Sequence, residues 1–132
     1  MSKTHLLVQR VSRGRLLGHV AGMPVLLLTT TGRRSGKPRT TPLTFFREGS
    51  DLVVIASNGG ADRAPDWSRN LEQNPRAVVR IGSDEIVVSA RVATGEERTR
   101  LWDGITAKHT MYAGYQRETT RRIPVVILTP GD

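Results

Sequence analysis

Six short apolar runs set the limits on what this chain can fold into: 23–31 (MPVLLLTTT), 39–46 (RTTPLTFF), 52–57 (LVVIAS), 76–81 (RAVVRI), 85–93 (EIVVSARVA) and 123–130 (IPVVILTP). Each has strand length, is rich in β-formers and ends at Gly, Pro, Asn or Asp turn signals. The first half shows no repeated strand–helix alternation. Consecutive hairpins of this kind predict an antiparallel barrel with short helices laid on it, not a doubly wound sheet. The fold class expected is therefore mainly β with α: about six mostly antiparallel strands and two or three short helices. Run 23–31 is continuous enough to suggest burial on both faces. Pro42 offers no N–H, so it marks an edge or a bulge in the second strand.

Helices are expected at 67–74 (WSRNLEQN), stopped by Pro75, and from Thr94 toward Ala107 or beyond. The latter opens on "TGEE", a capping-box pattern with Thr94 at the N-cap and Glu97 three residues later. Residues 76–81 and 85–93 form a hairpin around Gly82-Ser83-Asp84. At 132 residues the chain makes one barrel domain over 23–132, preceded by a helical segment over 1–22. That segment, with Leu6, Leu7, Val11, Leu16 and Leu17 among basic residues, suits a helix capping the core or one lying weakly on a membrane surface. It lacks an apolar stretch of signal-peptide or membrane-spanning length.

Cysteine is absent, which removes disulfides, thiolate metal sites and a catalytic Cys. A cytoplasmic protein is expected, at most peripheral to the inner face of the membrane. His5, His19 and His109 are too scattered for a metal set, so no metal is expected. No Ser–His–Asp arrangement or carboxylate pair emerges from spacing either. Such a chain is a binder, or an enzyme whose cofactor carries the hard chemistry.

The net charge of +8 calls for an anionic partner. Four of the cations, Arg33, Arg34, Lys37 and Arg39, crowd into Gly32–Arg39 together with Gly32, Ser35 and Gly36. This is not a Walker loop, because Gly32 and Gly36 are too close and Pro38 stands where Ser or Thr should bind magnesium. Glycines could still let backbone N–H groups approach an anion, while Arg supplies bidentate forks. A solvated hairpin loop explains the same residues equally well. Nucleic acid is not expected: aromatics are 5% of the chain, and recognition-motif patterns are missing.

A second loop, "ASNGGADRAPDWSRN", places Ser57, Asn58 and Gly59-Gly60 where they can meet a flat ligand, with Trp67 and Asn70 three apart on the following helix. Core packing for Trp67 and a cap or loop clamp for Asn70 are the plainer alternatives. Tyr112 and Tyr115, the two tyrosines of the chain, share a helix face with His109. They suit a substrate-pocket wall able to donate a proton, or packing with wet hydroxyls.

The stretches "PVLLLTTTGRRSGKPRTTPL", "VVIASNGGADRAPDWSRNL", "NP" at 74–75 and "YAGYQRETTRRIPVVIL" resemble the deazaflavin-dependent nitroreductase family. These are actinobacterial split β-barrel oxidoreductases, related to FMN-binding barrels, that use reduced coenzyme F420. The resemblance runs over about residues 23–130. It implies that Arg33, Arg34, Ser35, Lys37 and Arg39 hold the cofactor's phosphate and polyglutamate tail. It likewise implies that Pro42, Ser57, Asn58, Gly59, Trp67 and Asn70 line the deazaflavin or its ribityl chain, and that Tyr112 and Tyr115 wall the substrate space.

Family members often carry Tyr where this chain has His109 and Ser68, and some have a longer amphipathic N-terminus. The activity implied is hydride transfer from reduced deazaflavin to an electron-poor small molecule, an activated C=C, quinone or nitroaromatic. Tyr112, Tyr115 or Ser57 would supply or relay the proton. An FMN-dependent barrel enzyme and a non-catalytic deazaflavin or small-ligand carrier are the alternatives. Neither monomer nor homodimer is selected by the residues.

Overall fold

In the computed structural model, which describes residues 19–20 and 23–131, the apolar runs become strands whose pairings are antiparallel throughout. They are β1 (His19–Val20), β2 (Met23–Thr31), β3 (Pro38–Thr44), β4 (Phe46–Glu48), β5 (Asp51–Ile55), β6 (Arg76–Ile81), β7 (Asp84–Val92) and β8 (Val125–Pro130). Three α-helices accompany them: α1 (Asp66–Gln73), α2 (Gly95–Lys108) and α3 (Met111–Arg117), with a 3-10 turn at Asn58–Gly60.

One feature of β3 and β4 curls the sheet. Its order is β1-β2-β6-β7-β8-β5-β4, with β3 on the other side of β2. The strands at the two ends, β3 and β4, are separated in the chain by Phe45 alone. A sheet whose opposite ends come from one continuous run has to bend until they nearly meet, which makes a split barrel. Phe45 is the corner: its side chain is 2% exposed inside the barrel, and its N–H bonds the Pro24 carbonyl at 3.1 Å. The run 39–46, expected as a single strand, is thus two strands serving opposite edges.

Alternation along the strands divides the apolar residues into two cores. Leu52 and Val54 of β5, with Val126 and Leu128 of β8, point into the barrel beside Leu26, Leu28, Trp67 and Leu71. Their neighbours Val53, Ile55, Val125 and Ile127 face outward and pack with Leu101, Ile105 and Tyr112 from α2 and α3. A strand covered on both faces reads as an unbroken apolar run, and β5 and β8 obey that rule. Strand β2 does not. Leu26, Leu28 and Thr30 are buried, but Val25 and Leu27 are only partly so and join neither core. The expectation of a doubly buried β2 is corrected to a half-covered strand.

Two local expectations also change. Thr94 is the N-cap of α2, but its side chain makes no capping bond. Glu97 instead takes a bidentate pair from Arg91, at 2.7 and 3.0 Å, so the charge-assisted contact displaces the capping box. At His19–Val20 the chain is strand, paired with Pro24 and Met23, not helix. The remainder of the helical segment expected over 1–22, and with it any membrane contact, lies outside the described residues apart from those two. No helix among the described residues is long and apolar enough to cross a membrane.

Candidate active site

The β2–β3 hairpin ends at the pair Thr31 and Pro38, so Arg33, Arg34 and Lys37 sit on the intervening loop and Arg39 lies on β3, opposite Thr30. Hydrogen bonds close that loop on itself. Gly32 N–H reaches the Lys37 carbonyl at 2.8 Å, Gly36 N–H reaches the Gly32 carbonyl at 2.8 Å, and Lys37 N–H reaches Ser35 Oγ at 3.1 Å. A Cβ on Gly32 would stand 2.8 Å from Ser35 Oγ and 3.1 Å from the Lys37 carbonyl oxygen, which is why glycine is needed there. The N–H groups of Gly32, Gly36 and Lys37 are thus already paired within the hairpin.

Helix α1 locks the same loop from below. Asn70, 3% exposed, accepts from the Arg33 N–H at 3.1 Å and from Arg33 Nη1 at 2.9 Å, and its Nδ2 donates to Thr30 Oγ1 at 3.0 Å. One buried amide thus ties the end of β2, the basic loop and α1 together. Arg33 Nη2 also reaches Asp66 Oδ1 at 3.3 Å, and Arg63 Nη2 reaches that oxygen at 3.2 Å. Hydrogen bonds from Arg63 and Arg33 hold the Asp66 carboxyl below its usual range.

Two cavities meet here. The larger, about 580 Å³, is walled by Arg33, Arg34, Ser35 and Arg39 from the hairpin and by Arg63 and Asp66 from the opposite side. The smaller, about 340 Å³, is walled by Pro42, Thr44, Ser57, Gly59 and Tyr112. Thr41, Asn58, Pro65 and Trp67 line both, so the two form one groove with a cationic end and a tyrosine end. Asn70 lines the cationic end. Lys37 and Tyr115 line neither cavity.

The Ser57–Ala61 turn brings Ser57, Asn58 and Gly59 to the groove. Asn58 adopts a left-handed φ of +47°, tolerable for Asn, and its Nδ2 closes the loop on the Arg63 carbonyl at 2.9 Å. Gly60 presses against α3: a Cβ there would meet the Tyr115 carbonyl oxygen at 3.0 Å. Arg121 holds the turn from outside, donating to the carbonyls of Ala56, Ser57 and Ala61 at 3.2, 2.9 and 2.9 Å.

At the tyrosine end, Tyr112 is 4% exposed and its hydroxyl shares a 2.9 Å hydrogen bond with Thr44 Oγ1. Burial pushes its pKa above the ordinary tyrosine value, against the opposing pull of the Thr44 bond. Tyr115 stands edge-on to Tyr112, centroids 6.0 Å apart, and Phe46 packs between Tyr112 and His109 at 6.1 and 5.3 Å. His109 belongs to this aromatic cluster, and Ser68 is buried on α1. Among the described residues no group of His, Cys, Asp or Glu is placed to hold a metal ion.

Sequence reasoning missed Arg63, Asp66, Thr44 and Arg121. The spacing of Arg63 and Asp66 in "DRAPD" was a readable signal for an ion pair; the others act across contacts of more than sixty residues in the chain.

Comparison with known proteins adds four findings. The family model described as F420H(2)-dependent quinone reductase matches residues 1–130. An F420H(2)-dependent quinone reductase of Mycobacterium tuberculosis is 37% identical over 131 residues, covering 96% of this chain and 88% of that protein. A solved F420-H2 dependent reductase superposes with a TM-score of 0.72 at 39% identity, over 80% of this chain and 93% of its own. A further structure, described as a domain-swapped dimer, has a TM-score of 0.72 at 34% identity, over 95% of this chain and 98% of its own.

Proposed function

Because this chain belongs to the F420H(2)-dependent quinone reductase family, and is an oxidoreductase using reduced coenzyme F420, we propose that the groove seats that cofactor with its anionic part in the cationic cavity and a quinone acceptor beside Tyr112. The observation that carries this reading is the shared seam: Thr41, Asn58, Pro65 and Trp67 border an arginine-rich space on one side and a tyrosine-bearing one on the other. A molecule with a flat head and a charged tail matches such a groove in both chemistry and sequence of parts. The residues fit in a second respect. Gly59, at φ +64°, has nothing within 4 Å of where a Cβ would lie, so a ring can approach the backbone there.

Arg34 and Arg39 bind the anionic part through charge-assisted hydrogen bonds. Arg33 lies 15% exposed and already bonded to Asn70 and Asp66, so it supports the loop and adds positive potential. Asn70 acts in the same way, as the clamp that positions the loop. Pro42, Ser57, Asn58, Gly59 and Trp67 border the ring space. When bound, the reduced cofactor supplies a hydride.

The acceptor's oxygen then needs a hydrogen-bond donor or a proton. Tyr112 is suited to that role: its pKa is raised by burial, so its hydroxyl keeps its proton across the neutral range, and Thr44 orients it. Ser57 stands on the same cavity and can relay the proton. Tyr115 orients the Tyr112 ring edge-on from outside the cavity.

An anaerobic assay of F420H2 oxidation against matched quinones, enones and nitroaromatics tests this. Turnover is expected to be fastest with quinones. Tight cofactor binding with no quinone reduction would remove the proposal.

A further inference from the structure

The larger cavity holds four arginines, Arg33, Arg34, Arg39 and Arg63, and one acid, Asp66. Asp66 Oδ1 bridges Arg33 and Arg63 at 3.3 and 3.2 Å, yet its side chain is 70% exposed. The two arginines differ in how they are held. Arg33 is mostly buried and bonded twice to Asn70, whereas Arg63 is 64% exposed and, among the described residues, its guanidinium has Asp66 as its partner.

We propose that Asp66 is a resident counter-anion of the cationic cavity, from which Arg63 detaches to grip the phosphate or carboxylate groups of the entering ligand. The inference rests on the cavity being the seat of the cofactor's anionic part. An exposed ion pair of this kind is weakly held, so exchanging one oxyanion for another costs little. A phosphate or a string of carboxylates offers more acceptor oxygens than the single Asp66 oxygen and takes both forks of a guanidinium. Asp66 then sets specificity in two ways. It offsets one of the cavity's four positive charges while no ligand is present, and it competes with any anion for Arg63. Ligands with a single weak negative charge are rejected, and multiply charged tails are accepted.

The sign of the expected effect separates this role from ordinary support of the pocket. Removing a supporting contact weakens binding, whereas removing a competitor strengthens it. Oxidised coenzyme F420 and its riboside precursor, the same deazaflavin without phosphate or tail, are titrated into the wild type and into Asp66→Asn and Asp66→Ser. The Kd for F420 is expected to fall about two- to fivefold in both variants at low salt. The gain shrinks at high salt, as a screened interaction must. Riboside affinity stays unchanged. In an Arg63→Ala background the gain from Asp66→Asn is smaller, because the arm that Asp66 restrains is gone.

Unchanged or weaker F420 affinity in both folded variants overturns the inference. An equal gain for the riboside overturns it too. Arg34→Ala and Arg39→Ala distinguish the two levels of argument. If neither weakens F420 binding, the seat itself is misplaced and the role of Asp66 falls with it. If both weaken binding while the Asp66 variants stay flat, only the counter-anion role is lost.

Discussion

Asn70 receives two hydrogen bonds from Arg33, one from the backbone N–H at 3.1 Å and one from the guanidinium at 2.9 Å, while its own amide donates to Thr30 at 3.0 Å. This side chain, buried on α1, fixes the basic loop to the barrel. Asn70→Ala leaves a buried threonine hydroxyl and a backbone N–H without partners. A loss of about 2–4 kcal/mol in unfolding free energy is expected by denaturant titration, with weaker F420 binding in the variant that still folds.

The cations of the hairpin should differ in effect. Arg34 and Arg39 line the cationic cavity and Lys37 does not. Arg34→Ala and Arg39→Ala are each expected to raise the Kd for F420 about tenfold, more for longer polyglutamate tails, and Lys37→Ala less than about twofold. Isothermal titration at one fixed salt concentration checks this.

The two tyrosines should separate as well. Tyr112 lines the smaller cavity and Tyr115 supports it from outside. Tyr112→Phe is expected to lower kcat about tenfold or more with little change in F420 affinity, and Tyr115→Phe to have a smaller effect. Steady-state assays with a quinone acceptor report both.

Tyr112 also predicts a pH dependence. Burial raises its folded pKa above the unfolded value of about 10. Its stabilising contribution is therefore complete below pH 10 and is lost as the pH rises through the higher folded value. Wild-type Tm should fall more steeply than that of Tyr112→Phe above about pH 10. Parallel curves would contradict the raised value.

The turn glycines give a steric contrast. At Gly60, φ is +88° and a Cβ would meet the Tyr115 carbonyl oxygen at 3.0 Å and the Glu118 Cβ at 3.1 Å. At Gly59, φ is +64° with open space around it. Gly60→Ala is expected to cost about 2–4 kcal/mol, combining backbone strain and a clash. Gly59→Ala should cost about 1 kcal/mol from the left-handed backbone alone. Thermal unfolding of both variants makes the comparison.

The strands were legible because alternation and apolar continuity are local: β2 and β6 run where the apolar segments run, and the turn around Gly82 falls between β6 and β7. The basic loop and the Ser57–Gly60 turn were legible for a related reason, since charge crowding and paired glycines are written in consecutive residues. Local pattern failed where two segments compete for one partner. Glu97 has the spacing of a capping residue, but Arg91, brought alongside, offers a stronger bidentate bond. Phe45 looks like any strand residue until the sheet closes and makes it the corner.

The sequence by itself determined where most of the strands run, the cationic hairpin and the aromatic pair, because each depends on neighbours a few positions away. Only the tertiary structure decided that Arg33 is held by Asn70, that Lys37 and Tyr115 stand outside the groove, and that Arg121 braces the turn. Those outcomes depend on which distant segments the closing barrel presses together, and no local spacing encodes that geometry.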